Sequence, residues 1–530
     1  MIYDINKNVR EIYNKIQISA EYFLNFNVIN SYKKILEFSY DSVDLGYKNI
    51  LIDGGFYNLG YLYRLQLIRA ALNSQKKNEN AFIWDCNQFI CKKILNSLNI
   101  RNIFYLNKHF LKENFSQAEK IFKQIKTKEA LIDYVFPSNV PGLFLYDVIM
   151  KGQKSATVDF NDKSVKKYIF KFLCAIKFSE MLINSIKPDI IILSHAISYQ
   201  CAPLAWLGAK NKIPVIVLSG GYGIPRLWRL SKSNDIFFGI GHPTKKDLNE
   251  LTEKKVQELS KIGNKYLRQR ISGLKKDFSG KFAFQNKQAK LDIISKKNKT
   301  QKVVAVYLGN WFDFPHIFGK TRFLDILDWI TQTIEIASKN KNILWLIKPH
   351  PLDQWYGGLT LKDIYKVKLP SNVIILSNKY SGKAIIEKAD ALITQKSTSA
   401  LEFAFLGKPV LISDKGWYHN CGFTKLPKSK QDYLDLLTKD WFKNIDKNNT
   451  ARNAKLFAGL YFGIPYWQKG GILPDDPLRK NLRESLPKFV KINSKIIKKE
   501  IKHIQDWLNS GTIDYHSYKM KCSSKYSTLI

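Results

Sequence analysis

The sequence predicts an α/β protein with two doubly wound domains, parallel sheets facing across a cleft, and a helical C-terminal tail. Three observations lead there. Short apolar runs alternate with amphipathic stretches in two separate blocks, which is the order of a parallel sheet with helices on both faces. A segment from 272 to 301, rich in Lys, Gln, Asn and Ser, parts the blocks. The chain has 530 residues, enough for at least two domains at about 150 residues each.

In the first block, Asn49-Ile50-Leu51-Ile52 reads as a strand ending at Asp53-Gly54-Gly55, followed by a helix from about Tyr57 to Leu72. Ala81 to Trp84 and Asn102 to Tyr105 are strands around a second helix. Asp189 to Leu193 is a strand, Tyr199 to Lys210 a helix, and Pro214 to Leu218 a strand. The second block restarts the same grammar with a strand at Val303 to Leu308. Phe323, Ile326, Leu327, Ile330 and Ile334 then mark one face of a helix. Strands follow at Asn342–Ile347, Val373–Leu376, Ala391–Thr394 and Pro409–Ile412, separated by helices at about Gly382–Lys388 and Thr398–Leu406. The expected division is therefore 1–271, a linker over 272–301, a second domain over 302–450, and a tail over 451–530 that packs partly back on the first domain. In the tail, Ile497, Ile501, Ile504 and Leu508 form a stripe, with Lys495, Lys498, Lys499 and Lys502 elsewhere. A helix packed on the body is the plain reading; docking of its lysine face on a membrane surface is the sharper one.

Composition excludes several classes. At 45% hydrophobic and 13% aromatic residues, wholesale disorder is ruled out. No apolar run approaches the roughly 20 residues of a membrane span. The first residues, Met1 to Lys7, lack an apolar core, so the chain is expected in the cytoplasm. Lys and Arg total 84 and Asp and Glu 45, a net charge of 84 − 45 = +39. The lysines are dispersed, so a lysine coat competes with attraction to anionic partners, and nucleic acid is not expected to be one of them. The six cysteines include no C-x-x-C pair, which argues against disulfides and zinc. P-loop, G-x-G-x-x-G, Asp-x-Asp, H-E-x-x-H and G-x-S-x-G motifs are absent, so no metal and no cofactor is expected.

The chemistry must then come from strand ends. Lys348-Pro349-His350-Pro351 follows a strand; its prolines fix the backbone, and its cation and imidazole suit a phosphate. Thr394-Gln395-Lys396-Ser397-Thr398-Ser399-Ala400-Leu401-Glu402 crosses from strand to helix and offers an anion cradle, with Glu402 placed for ribose hydroxyls. The competing reading is a capping box from Ser399 to Glu402. Gly416 to Phe423 could stack on a base, or be a structured loop. In the first block, Asp53-Gly54-Gly55, Ser194-His195 and Ser219-Gly220-Gly221-Tyr222-Gly223 end three strands, with Arg226 and Arg229 soon after. Asn310, Asp313 and His316 repeat the pattern in the second block.

Lys348-Pro349-His350-Pro351, then Ser397-Thr398 and Glu402, then Gly407-Lys408-Pro409-Val410, resemble the bacterial capsule and surface-polysaccharide biosynthesis proteins. These are GT-B-like glycosyltransferases, including β-Kdo transferases and, more remotely, polysialyltransferases. Asp53 to Phe56 and Ser194 to Gly223 also look like that family's N-terminal half. The resemblance runs from about 48 to about 470. It implies a GT-B-like fold of two Rossmann-like domains and transfer of a sugar from a nucleotide donor, often CMP-linked, to a glycan or glycolipid acceptor at the inner membrane face. By resemblance, His350 with Ser397 and Thr398 would hold the donor phosphate and Glu402 the ribose. We expect Lys348, His350, Gln395, Ser397, Thr398, Ser399, Glu402, Asn310 and Asp313 on the donor side, without a metal. Gly54, Gly55, Gly220, Gly221, Tyr222, Arg226 and Arg229 are expected at the acceptor or cleft, with Asp53 or His195 as base. An aspartate nucleophile in a retaining reaction, a nucleotide-sugar epimerase, and a basic scaffold for membrane or nucleic acid stay open as alternatives.

Overall fold

The computed structural model describes residues 19–39, 44–109, 112–221, 224–238, 241–274, 282–284, 301–353, 360–365, 367–462 and 482–515. It contains two doubly wound sheets. The first comprises β1 (Asn49–Asp53), β2 (Asn78–Ile83), β3 (Asn102–Tyr105), β6 (Ile190–Leu193), β7 (Val215–Gly221) and β8 (Ile224–Leu230), in the order β3-β2-β1-β6-β7-β8. All neighbours are parallel except β7 and β8. A two-residue hairpin, β4 (Val135–Phe136) with β5 (Val140–Pro141), lies apart. The second sheet is wholly parallel: β9 (Lys302–Tyr307), β10 (Ile343–Lys348), β11 (Val373–Ile375), β12 (Ala391–Thr394) and β13 (Val410–Ile412), in the order β11-β10-β9-β12-β13.

The continuous apolar runs of β6 and β10 follow from burial on both faces. Period-2 alternation sorts each strand between two cores. Leu51, Ile191, Leu193, Val215 and Val217 face one layer, whereas Ile50, Ile52, Ile190, Ile192 and Ile216 face another. In the second sheet Val304, Val306, Trp345 and Ile347 face the same core as the first set, while Val303, Ala305, Leu344 and Leu346 face a third. One apolar cluster thus runs through both sheets and joins the domains. The stacked rings of Phe144 and Phe237, 5.7 Å apart, belong to it.

Several elements differ from expectation. Asn58 caps the helix Leu59–Ala71, its side chain accepting from the Tyr61 N–H at 3.0 Å, so that helix begins two residues late. Asp325 caps Ile326–Lys339, which leaves Phe323 buried ahead of the helix rather than on it. β7 does not stop at Leu218; it runs to Gly221 and pairs antiparallel with β8, Gly220 opposite Pro225 and Ser219 opposite Arg226. The helix Glu253–Ile271, placed with the first domain by the boundary at 271, packs on the second domain's core. It crosses the helix Lys447–Phe462 so closely that a Cβ on Gly263 would meet the Lys455 carbonyl at 1.8 Å and one on Gly459 the Leu259 carbonyl at 1.9 Å. Lys447–Phe462 itself begins before 451 and covers the third core through Ala454, Phe457, Ala458 and Tyr461. The linker's described part, 282–284, buries Phe284 in that core.

The helices Leu482–Ile492 and Ser494–Ser510 lie on the first sheet's outer layer, against Phe26–Leu36 and Leu59–Ala71 respectively. The stripe Ile497, Ile501, Ile504 and Leu508 is fully buried there. Among the described residues no helix is long and apolar enough to cross a membrane.

Candidate functional site

In an open α/β sheet, ligands bind beyond the strands' carboxyl ends, where the strand order reverses. In the first sheet that point lies between β1 and β6, which end at Asp53 and at Ser194-His195. Asp53 is fully buried and surrounded by donors. Oδ1 accepts from the Gly55 N–H at 3.0 Å; Oδ2 accepts from the Ser194 N–H at 3.3 Å, from the Ser194 hydroxyl, and from Cys201 Sγ at 3.6 Å. Burial pushes its carboxyl up, against the pull of these bonds. The Ser194 hydroxyl gives its one proton to Asp53, so at 2.6 Å it accepts from His195 Nδ1. That tautomer leaves His195 Nε2 as an acceptor, met by the Ser198 hydroxyl at 3.2 Å. Burial, and the charge of Lys151, push His195 down to about 4, so the ring is neutral near pH 7. Asp53 is therefore not an open base; it orders Ser194 and, through it, His195. Gly54 and Gly55 do not open a path for a ligand: a Cβ there would strike Leu95 at 2.5 Å and the Trp84 ring at 2.6 Å.

In the second sheet the reversal lies between β9 and β12. Asn310, just after β9, accepts from the Phe312 N–H at 3.3 Å, and its buried Nδ2 has no partner among the described residues. Asp313 is half exposed and pairs with Lys151 of the first domain at 2.6 Å. After β10, Lys348 is buried and donates to the carbonyls of Ser377 (3.3 Å) and Tyr380 (3.1 Å); it holds the β11 loop instead of facing the cleft. His350 follows β10 on the next loop. Its Nδ1 accepts from the Leu352 N–H at 3.3 Å, which places the proton on Nε2, and burial pushes its pKa down to about 4, against the charge of Asp313. It is a neutral donor, not a cation. Behind it, burial pushes the Asp353 carboxyl up to about 7, with Oδ1 4.0 Å from His350 Nδ1.

Beyond β12, Gln395 is buried. Ser397 Oγ accepts from the Ser399 N–H (3.3 Å) and hydroxyl (2.9 Å), so its own proton remains to be given. Thr398 precedes the helix Ser399–Phe405 without capping it, and the Ser399–Glu402 capping box does not form. Glu402 is buried and accepts from Arg270 Nε at 2.6 Å, a clamp between two helices. That contact removes Glu402 from the position expected for a ribose ligand. The loop after β13 is a prop: Trp417 Nε1 donates to the Lys396 carbonyl at 2.8 Å and Tyr418 to the Ser397 carbonyl at 2.6 Å, their rings buried against Phe457 and Tyr461.

The residues expected at the acceptor side are dispersed. Gly220 and Gly221 lie in the β7–β8 ladder, Arg226 lies in β8, and Tyr222 falls outside the described residues. Arg229 is buried away from the cleft. It donates to the Leu508 carbonyl at the end of the last tail helix and lies 5.8 Å over Trp507.

What converges instead is a charged seam between the sheets. Asp147, on the helix Leu143–Gln153, accepts from His316 Nδ1 at 2.6 Å and from its N–H at 2.9 Å. Lys396 donates to the Pro315 carbonyl at 2.6 Å; burial pushes it down to about 8, while Asp147, Asp414 and Asp313 pull it up. Asp313 thus acts on both His350 and Lys396, and Lys151 on both Asp313 and His195. A cavity in this seam is lined by Ser198 from the loop after β6, by Asp147, and by Phe314 and His316 from the loop after β9. Lys396, Lys151, Asp147 and Ser198 were missed in the sequence. Only Lys396 carried a signal, standing inside the strand-end motif.

Among the described residues one group has metal-ligand composition. Asp53, His195 and Cys201 bring their ligand atoms within 4.8 Å of one another. The Ser194 hydroxyl stands between the carboxylate and the ring and bonds to both, so the group is ordered by hydrogen bonds.

No protein-family model and no curated protein matches the chain. Solved structures do. It is similar to the β-Kdo 2,4 transferase KpsC of Thermosulfurimonas dismutans, at 12% identity and a TM-score of 0.32, over 50% of this chain and 78% of that one. It is also similar to the UDP-GlcNAc 2-epimerase of Neisseria meningitidis bound to UDP-GlcNAc, at 14% identity and 0.25, over 77% and 97%. The spinosyn rhamnosyltransferase SpnG complexed with spinosyn aglycone matches at 10% identity and 0.26, over 77% and 95%.

Proposed function

We propose that the chain is a glycosyltransferase that takes a sugar from a nucleotide donor at the second sheet and passes it to an acceptor on the first sheet's side of the seam. The observation that carries this reading is that the loops leaving β6 and β9, the reversal points of the two sheets, meet at one small cavity of about 10 Å³. The donor side supplies groups that give protons or positive charge. These are His350 Nε2–H, the Lys396 ammonium, the Ser397 and Thr398 hydroxyls and the Gln395 amide. Such a set suits a phosphate whose charge grows as the glycosidic bond breaks. Lys396 takes the role expected of Lys348. In the finer reading, the donor is CMP-linked, with a Kdo-like or sialic-acid-like sugar, and the acceptor is a surface glycan or glycolipid. This rests on the resemblance carried by Lys348 to Pro351 and Ser397 to Val410.

A thermal-shift screen over CMP-, UDP- and GDP-sugars tests it. Stabilisation by one nucleotide class is expected, since a ligand at 100 times its Kd adds about 2.7 kcal/mol. His350→Ala and Lys396→Met should each reduce that shift while melting near the unliganded wild type. Full shifts in both variants would sink the site assignment.

A further inference from the structure

Three helices on the first sheet's outer layer bury one face each and turn the other to solvent. Phe26–Leu36 buries Val28, Ile29, Tyr32 and Ile35 and turns Lys33 and Lys34 outward. The tail helices Leu482–Ile492 and Ser494–Ser510 bury Leu486, Val490, Ile497 and Ile501, and turn Lys488, Lys491, Lys495, Lys498 and Lys499 outward. The first helix and the tail are neighbours at both ends. Arg483 Nε donates to Asn25 Oδ1 at 3.1 Å at one end, and the Lys498 ammonium lies 5.5 Å over the Phe38 ring at the other. Arg483 is paired with Glu21, and Lys502 with Asp506 at 2.6 Å. The five outward tail lysines form no ion pair among the described residues. Phe23 and Ile492, 80% and 78% exposed, are the two most exposed large apolar side chains among the described residues. Phe23 stands at the Arg483 end, with Leu24 and Phe26 beside it also exposed; Ile492 stands at the elbow between the two tail helices.

We propose that this face docks on the surface of an anionic lipid bilayer. Unpaired lysines and protruding apolar side chains on one layer of helices are what such a surface selects. The ammonium groups reach headgroup phosphates while their stems, Ile492 and Phe23 enter the boundary of the acyl chains. Each lysine near an anionic bilayer strengthens binding roughly five-fold, and the gain is screened by salt. Other partners fit less well. A second copy would bring like charges together. A nucleic acid is gripped by arginines and by aromatic rings that line a groove; here Arg483 is occupied by Glu21, and the apolar side chains protrude. The inference does not depend on the glycosyltransferase reading, since docking is measured without any sugar.

Sedimentation of the full chain with vesicles tests it, comparing phosphatidylcholine alone with phosphatidylcholine containing about one-third phosphatidylglycerol. Binding roughly tenfold tighter or more to the anionic vesicles is expected, weakening as salt rises. Lys491→Glu, Lys495→Glu and Lys499→Glu together should abolish that preference. The same charge change on the second domain's helix, Lys254→Glu with Lys261→Glu and Lys265→Glu, should leave most of it. All six are exposed, so both variants should melt like the wild type. Ile492→Ser should weaken binding several-fold while the salt dependence stays. Equal binding to both vesicles, or none, overturns the proposal. So does an equal loss in the two triple variants, which would assign the attraction to the dispersed lysine coat. Binding that single-stranded RNA displaces and that Ile492→Ser leaves unchanged would give the face to nucleic acid and overturn it as well.

Discussion

At the scale of single residues, local environment reassigns the cations. Lys348 and Lys396 stand at equivalent strand ends, yet Lys348 is fully occupied by two carbonyls of its own domain, whereas Lys396 gives one visible bond and stays near the seam. The lowered pKa of Lys396 makes a sign-definite prediction. Its ammonium carries charge below about 8 and loses it above. Donor affinity should therefore weaken as pH rises from 7 to 9, read as the Kd of the nucleotide that the screen selects. Lys396→Arg should flatten that limb, because a guanidinium stays charged. An unchanged Kd across this range in the wild type would remove Lys396 from the site. His350 and His195 show the opposite lesson. The sequence offered His195 as a base and His350 for a phosphate; burial lowers both to about 4, so each ring is neutral near pH 7 and acts through the hydrogen bond that sets its tautomer.

At the scale of elements, the strand ends were legible because alternating apolar runs and the residues that close them are local signals. The pairing of helices was not. Glu402 lies 132 residues from Arg270, and nothing near either residue announces the other. With side chains only 3% and 4% exposed, each charge depends on its partner. Removing one takes the buried salt-bridge partner from the other, at a cost of about 3–5 kcal/mol. Glu402→Gln should therefore lower the unfolding free energy read from a urea titration by up to that margin, and with it the midpoint, without abolishing the nucleotide thermal shift. Loss of the shift with an unchanged midpoint would instead return Glu402 to the ribose. The same helix explains why the boundary at 271 fails to separate two packing units. Glycines at 263 and 459 let Glu253–Ile271 and Lys447–Phe462 approach backbone to backbone, a contact invisible to composition.

At the scale of the whole molecule, the tail closes the first domain. Leu482, Leu486, Val490, Ile497, Ile501, Ile504, Trp507 and Leu508 are all buried against its outer layer. At about 1.5–3 kcal/mol each, these side chains outweigh a net stability of about 5–15 kcal/mol. Deleting 482–530 should therefore yield aggregated or unfolded protein by size exclusion and circular dichroism. A soluble monomer melting within a few degrees of the full chain would show that the tail is dispensable. The sequence by itself determined two α/β blocks, the strand ends that carry His195, His350, Asp313 and Ser397, and the buried stripe of the last helix, since period and turn chemistry are properties of neighbouring residues. Tertiary structure alone decided which polar groups remain open. A buried donor or acceptor is costly without a partner; for Asp53, Lys348 and Glu402 the fold supplies partners that take them out of an open site, while Asn310 Nδ2 and His316 Nε2 stay without one among the described residues.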